Sequence, residues 1–166
     1  MAQASGLPML TEQERACPTE ATILDGGDDS RCAEPGIPGY LHAIGGSATN
    51  DGGIGCMRAL GVRFLDDEGR ELSGCGKDLI QIRTIDVSRL DKRVKETRFT
   101  VMCDVTNPLC GPDGATYTFG KQKGGTREVL EELEAGMEKL PGADPTAVRC
   151  GSEYGIRIFT RICLRY

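Results

Sequence analysis

The segment IGGSATNDGG, Ile44 to Gly53, constrains this chain more than any other part of it. A backbone so rich in glycine and short polar side chains can continue neither a helix nor a strand, so it must bend. Gly45 and Gly46 allow close approach or positive φ, and Ser47, Thr49, Asn50 and Asp51 bring hydrogen-bonding groups to the bend. A short apolar lead precedes it. IGCMRALG follows, where Ile54, Met57, Arg58 and Leu60 suit a short helix that Gly61 stops. A bend entering a helix can hold a phosphate or carboxylate on backbone N–H groups, with Asp51 orienting a hydroxyl or holding Mg²⁺ through water. An equally weighted alternative makes it a tight turn with Asp51 as a cap. It is not a P-loop, because no Gly-Lys-Ser/Thr follows.

The rest of the chain reads as α/β. Aromatic content is 5% and Trp is absent, so the core must come from Ile, Leu, Val and Met. VRFLDDEGRELSG predicts a hairpin turned at Asp66 to Gly69. Lys77 to Leu90 has no clear period, and Asp86 with Ser88 suits a local turn. RFTVMCDV, Arg98 to Val105, predicts a largely buried strand that carries Asp104 to its end, where a carboxylate can face a cleft. Thr126 caps a predicted helix through Leu140, with Glu128 near its positive end and Val129, Leu133, Met137 and Leu140 on one face. Thr11 to Gly39, broken by Pro18, Pro35 and Pro38, reads as a long loop.

Charge and cysteine content narrow the function. A net charge of −5 argues against nucleic acid and anionic membranes as partners, while a small anion needs only a local basic pocket. The 8 cysteines include no C-x-x-C pair and meet a single histidine, His42, so a zinc site is not expected. Cys103 and Cys110 have no histidine nearby to activate them and read as small buried filler. No apolar run is long enough for a bilayer, and the expectation is a cytoplasmic protein with reduced thiols.

A second constellation lies in CDVTNPLCGPDGATYTFGKQKGG. Asp104, Asn107, Lys121, Gln122 and Lys123 sit among glycines that let the backbone follow a ligand. An acid here can accept a hydroxyl proton or hold metal, and a lysine can neutralise phosphate charge, the pairing that phosphoryl transfer needs. The bland alternative is two surface turns with solvated lysines, which is preferred for Lys121.

Taken together, ASGLP near the start, IGGSATNDGG with the ALG-x-x-F-x-D-x-x-G that follows, CDV-x-NPL-x-G-x-x-GA and FG-x-QKG resemble the bacterial type I glycerate kinase family in order and spacing. The resemblance is almost unbroken from Ile44 to about Leu140. It implies ATP-dependent phosphorylation of D-glycerate with Mg²⁺, in a two-lobed α/β protein with the active site between lobes. Ser47, Thr49, Asn50, Asn107, Gly45 and Gly46 would then lie near substrate or phosphate. Asp51, Asp104 and Lys123 would be catalytic, with either acid as general base or Mg²⁺ organiser. Family chains also carry an APDSFKG-like lobe before ASGLP and GAGAAGG and TGEG stretches later, so an internal fragment is expected. Its fold would be part of the two-lobed glycerate kinase fold, a mixed sheet with flanking helices and an irregular N-terminal part and C-terminal tail.

The expected organisation is a family-like piece at 1–24, an anomalous segment at 25–42, the kinase core segment at 43–140 and an atypical tail at 141–166. Where the family has a GTGELI-like turn, an amphipathic helix and an apolar strand, this chain has DGGDDSRCAEPGIPGYLH. Codons exist for those residues whose neighbouring frame reads TGEMIRDALNRGYRDTFM, so a pair of compensating frameshifts is expected. A similar slip within Arg157 to Tyr166 can yield DIHEDMPAV. Replacing a helix and core strand with Gly/Pro-rich sequence removes large apolar side chains at about 2–5 kcal/mol each. The chain as written is therefore expected to be poorly folded and without kinase activity. The competing expectations are a non-catalytic anion-binding or interaction module and a gene remnant with no function.

Overall fold

The computed structural model describes residues 39–43, 46–102 and 106–140. Strand β1, Gly39–Ala43, leads into the glycine-rich bend, and helix α1, Ile54–Ala59, leaves it. Strands β2, Arg63–Leu65, and β3, Thr84–Asp86, follow, separated by a 3₁₀ turn at Gly76–Gln81. A second 3₁₀ turn, Lys92–Lys95, precedes β4, Arg98–Met102. Helix α2, Ala115–Phe119, a 3₁₀ turn at Lys121–Lys123 and helix α3, Arg127–Met137, complete the order.

The strands form two pairs. β1 and β4 run parallel, Gly39 beside Arg98 through Ala43 beside Met102. β2 and β3 run antiparallel, with Phe64 opposite Ile85. Parallel neighbours need a crossover, and here it contains α1, β2 and β3. β1 and β4 thus deliver their C-terminal ends side by side, the edge from which an α/β sheet presents ligand-binding loops. The glycine-rich bend follows one of those ends.

The core fills the space beneath the bend. Phe64, Ile54 and Val94 are fully buried, and Met57, Leu79 and Leu133 nearly so. α3 contributes Leu130, Leu133 and Met137, with Val129 half-covered against the same cluster. It is capped as expected, the Thr126 hydroxyl accepting from the Val129 amide at 3.5 Å. The helix ends at Met137, and Leu140 is buried by a following turn whose amide donates to the Met137 carbonyl at 3.1 Å.

Several expectations change in detail. Asp66 to Gly69 does turn, its carboxylate accepting from the Glu68 and Arg70 amides at 3.0 and 2.8 Å. Only the Leu65–Glu71 bridge joins the two arms, however, and β2 takes β3 as its ladder partner. The aperiodic Lys77 to Leu90 stretch resolves into a 3₁₀ turn and β3, and Asp86 still caps the expected turn by accepting from the Ser88 amide at 2.8 Å. α2 was not foreseen. Gly39–His42 belongs to the anomalous segment 25–42, yet its backbone forms most of β1. A parallel ladder is built from main-chain groups and accepts many side chains. The rest of 1–38 and the whole of 141–166, including the expected loop and tail, lie outside the described residues.

Candidate functional site

The bend is organised by its own short side chains. The Ser47 hydroxyl accepts from the Thr49 amide at 3.2 Å and lies 3.0 Å from the Thr49 hydroxyl. Thr49 and Asp51 are 5% and 2% exposed, so their polar groups need partners inside the protein. Asp51 finds them ahead of itself: one carboxylate oxygen accepts from the Gly53 amide at 2.9 Å and the other from the Gly55 amide at 3.2 Å. This is possible because Gly52 and Gly53 take φ values of 61° and 79°, which swing the following amides back toward the side chain. A Cβ on Gly52 would also stand 2.7 Å from Leu140 Cδ1. The first-turn amides expected to cradle an external anion are thus engaged by the chain's own carboxylate.

Asn50 faces the opposite situation. Its side-chain nitrogen is buried without a hydrogen-bond partner. Behind it the 3₁₀ turn comes so close that a Cβ on Gly76 would meet the Asn50 carbonyl oxygen at 2.8 Å.

Lys123 arrives from the far end of the chain. α2, its 3₁₀ extension and Gly124 at φ 92° form a compact corner, and Leu130 of α3 packs into it, 2.3 Å and 2.5 Å from where Cβ atoms on Gly120 and Gly125 would stand. From this corner the Lys123 ammonium donates to the Thr49 carbonyl, 74 residues away in sequence. Lys121 is exposed, in keeping with the solvated reading.

Asn107 starts the turn that leads into α2. Its amide nitrogen donates to the Asp113 carbonyl at 3.0 Å and reaches the Thr118 hydroxyl at 3.3 Å. The structure thus joins Lys123 to the bend at the Thr49 carbonyl, with Ser47 bonded to Thr49 and Asn50 and Asp51 next in sequence, and places Asn107 at the start of the turn feeding the corner that holds Lys123. Gly46 is exposed with φ 77°. Gly45 and Asp104 lie outside the described residues.

Sequence reasoning missed Glu134. It is 6% exposed on α3, and one carboxylate oxygen accepts from the Gly111 amide. The signal was present: Leu130, Leu133 and Met137 define an apolar stripe, and an acid stands where that repeat calls for another apolar side chain. Neighbouring Cys110 is buried, and that burial, with the charges of Glu134 and Glu138, pushes its thiol up to about 12, which keeps it an inert filler. Cys75 is likewise buried and free.

Among the described residues no group of three or more His, Cys, Asp or Glu could hold a metal ion. Asp51, expected as a Mg²⁺ organiser, already has both oxygens engaged by amides. This donor set does not fit a directly bound Mg²⁺. An anion fits better, since a buried amide donor, two hydroxyls and an ammonium lie along one bend.

By fold, the chain is mixed α/β, with the glycine-rich bend following one strand of a parallel pair. The sequence profile of the Glycerate kinase family matches residues 1–148, and the chain belongs to that family. It is 41% identical over 154 residues to a glycerate kinase of Haemophilus influenzae, covering 92% of this chain and 40% of the relative. It is 42% identical over 135 residues to the glycerate 2-kinase of Escherichia coli, covering 81% and 35%. A crystal structure assigned as glycerate kinase 2 from Salmonella typhimurium LT2 superposes with a TM-score of 0.87 at 33% identity, over 97% of this chain and 46% of that one. The chain therefore spans about 40% of the length of the curated relatives it matches. Among the described residues no helix is long and apolar enough to cross a membrane.

Proposed function

We propose that this chain carries one wall of a glycerate kinase site, in which ATP donates a phosphoryl group, with Mg²⁺, to a hydroxyl of D-glycerate. The observation that supports this reading most is the contact of Lys123 with the Thr49 carbonyl, which brings two family motifs together next in sequence to Asn50 and its unpartnered donor. In this reading the Asn50 amide and the Ser47 and Thr49 hydroxyls bind carboxylate or phosphate oxygens. Asn107 binds on the neighbouring turn, and Gly45 and Gly46 let the backbone approach.

Lys123 supplies positive charge where phosphate charge builds up. Asp51 shapes the bend through the Gly53 and Gly55 amides and acts on catalysis by positioning. In this reading the hydroxyl proton passes to Asp104. The bond broken joins the terminal phosphoryl group to ADP, and the bond formed joins it to the glycerate oxygen.

The chain alone is proposed to bind without turning over, because it spans about 40% of the length of the relatives it matches. Calorimetric titration of the purified chain with D-glycerate and with ATP, beside a coupled assay for ADP, tests this. Glycerate binding that weakens by about tenfold in Lys123→Ala supports the site. Unchanged affinity in that variant removes Lys123 from it, and measurable turnover refutes the inactive reading. The rival reading, a non-catalytic anion-binding module, gains from the same short span and predicts that glycerate or phosphate binds while ATP does not. The cytoplasm is the proposed location.

A further inference from the structure

Glu134 is a buried acid on an otherwise apolar helix face. It is 6% exposed, its second oxygen is buried without a partner, and its neighbours on the α3 face are apolar. An acid held like this costs stability unless its one hydrogen bond holds something in place. That bond is to the amide of Gly111, a residue at φ 96° in the middle of the turn between Asn107 and α2.

The turn passes the constraint along. Gly111 accepts from the Gly114 amide at 2.8 Å, and a Cβ on Gly114 would lie 2.7 Å from the Cys110 carbonyl carbon, so the corner has little room to shift. The intervening Asp113 presents its carbonyl to the side chain of Asn107 at 3.0 Å. One charged acceptor on a long helix thus fixes the peptide against which Asn107 is oriented, and a charge-assisted bond suits this because it is stronger than a neutral one.

We propose that Glu134 is a positioning residue for the site, holding the Cys110–Gly114 turn so that Asn107 keeps one orientation toward the ligand. The proposal rests on the reading of Asn107 as a ligand contact given above. On the intact chain, a through-bond coupling between the Gly111 amide nitrogen and the Glu134 carboxyl carbon is expected, and its absence would overturn the proposal without any variant.

In Glu134→Ala, Gly111 amide exchange is expected to rise about tenfold, the Asn107 side-chain amide resonances to move, and affinity for D-glycerate to fall about fivefold. Glu134→Gln keeps an acceptor and should hold Gly111 exchange and glycerate affinity within about twofold of the parent. A merely structural role predicts instead that both variants change melting temperature while the Asn107 resonances stay put, and that result would overturn the proposal. If the Asn107 resonances respond to Glu134→Ala but Asn107→Ala leaves glycerate affinity unchanged, positioning is supported and the reading of Asn107 as a contact falls.

Discussion

Asp78 and Asp51 show what one buried carboxylate can do for a loop. Burial works against the charge of Asp78, but its Oδ2 accepts from the Ser73 hydroxyl at 2.6 Å and from the Gly74 and Cys75 amides at 2.8 and 3.3 Å. The bonds prevail and hold its pKa below the ordinary 3.8. A folded-state pKa depressed below the unfolded one contributes stability that is fully present above 3.8 and is lost as pH falls through the folded value. Urea midpoints measured downward from about pH 5 should therefore drop in the parent and drop less in Asp78→Asn, which starts about 1–3 kcal/mol less stable through lost hydrogen bonds. Equal acid slopes in the two proteins would count against this. Asp51 was open to two readings in sequence, a ligand-binding acid or a cap. The choice needed the positions of the Gly53 and Gly55 amides, which depend on the left-handed backbone at Gly52 and Gly53.

At the level of elements, α1, β4 and α3 were legible because each carries its own signal: a glycine stop at Gly61, a β-branched and aromatic run at Phe99 to Val101, and a Thr cap with an apolar stripe; the large burial expected of β4 is not found at Arg98 and Thr100, which are exposed, or at Phe99, which is half-covered. β3 and α2 were not. Thr84–Asp86 is too short to show alternation and is a strand because β2 lies beside it. Ala115–Phe119 is a single turn enclosed by glycines and held by α3.

Contact between elements also reverses a propensity argument. Ala is preferred over Gly inside a helix by about 1 kcal/mol. A Cβ on Gly136, however, would stand 2.6 Å from Leu79 Cβ and 2.9 Å from the Ile80 backbone nitrogen, where α3 crosses the 3₁₀ turn. Gly136→Ala is expected to destabilise the protein by about 1–3 kcal/mol, because neither neighbour can rotate away. A chemical denaturation curve checks the sign, and a more stable variant would show that the two elements separate readily.

For the whole molecule, the segment 25–42 is the point of tension. It departs from the family pattern, yet the match to relatives continues through it and its last residues pair with β4. Backbone pairing at Gly39–His42 is compatible with a strand whose side chains were changed by a shifted reading frame, since register there follows main-chain geometry. The frameshift proposal predicts that the coding DNA over Asp25 to His42 spells a Thr-Gly-Glu-led amphipathic helix in a neighbouring frame. Reading that stretch of DNA decides the matter, and a neighbouring frame with stop codons or no such pattern would end it. If it holds, restoring the frame should raise the melting temperature by several degrees, as about 2–5 kcal/mol per recovered core side chain implies.

From its sequence alone this chain declares an α/β fold, the family it belongs to and the segments that carry its candidate site, because glycine spacing, capping residues and apolar periodicity are local properties of a chain. The assignment of donors to acceptors within the site was left to tertiary structure. That Lys123 meets Thr49, that Asp51 turns inward while Asn50 keeps a free donor, and that Glu134 holds Gly111 all depend on segments far apart in sequence. Each hydrogen-bonding group had several possible partners, and packing against the shared core decided which of them it could reach.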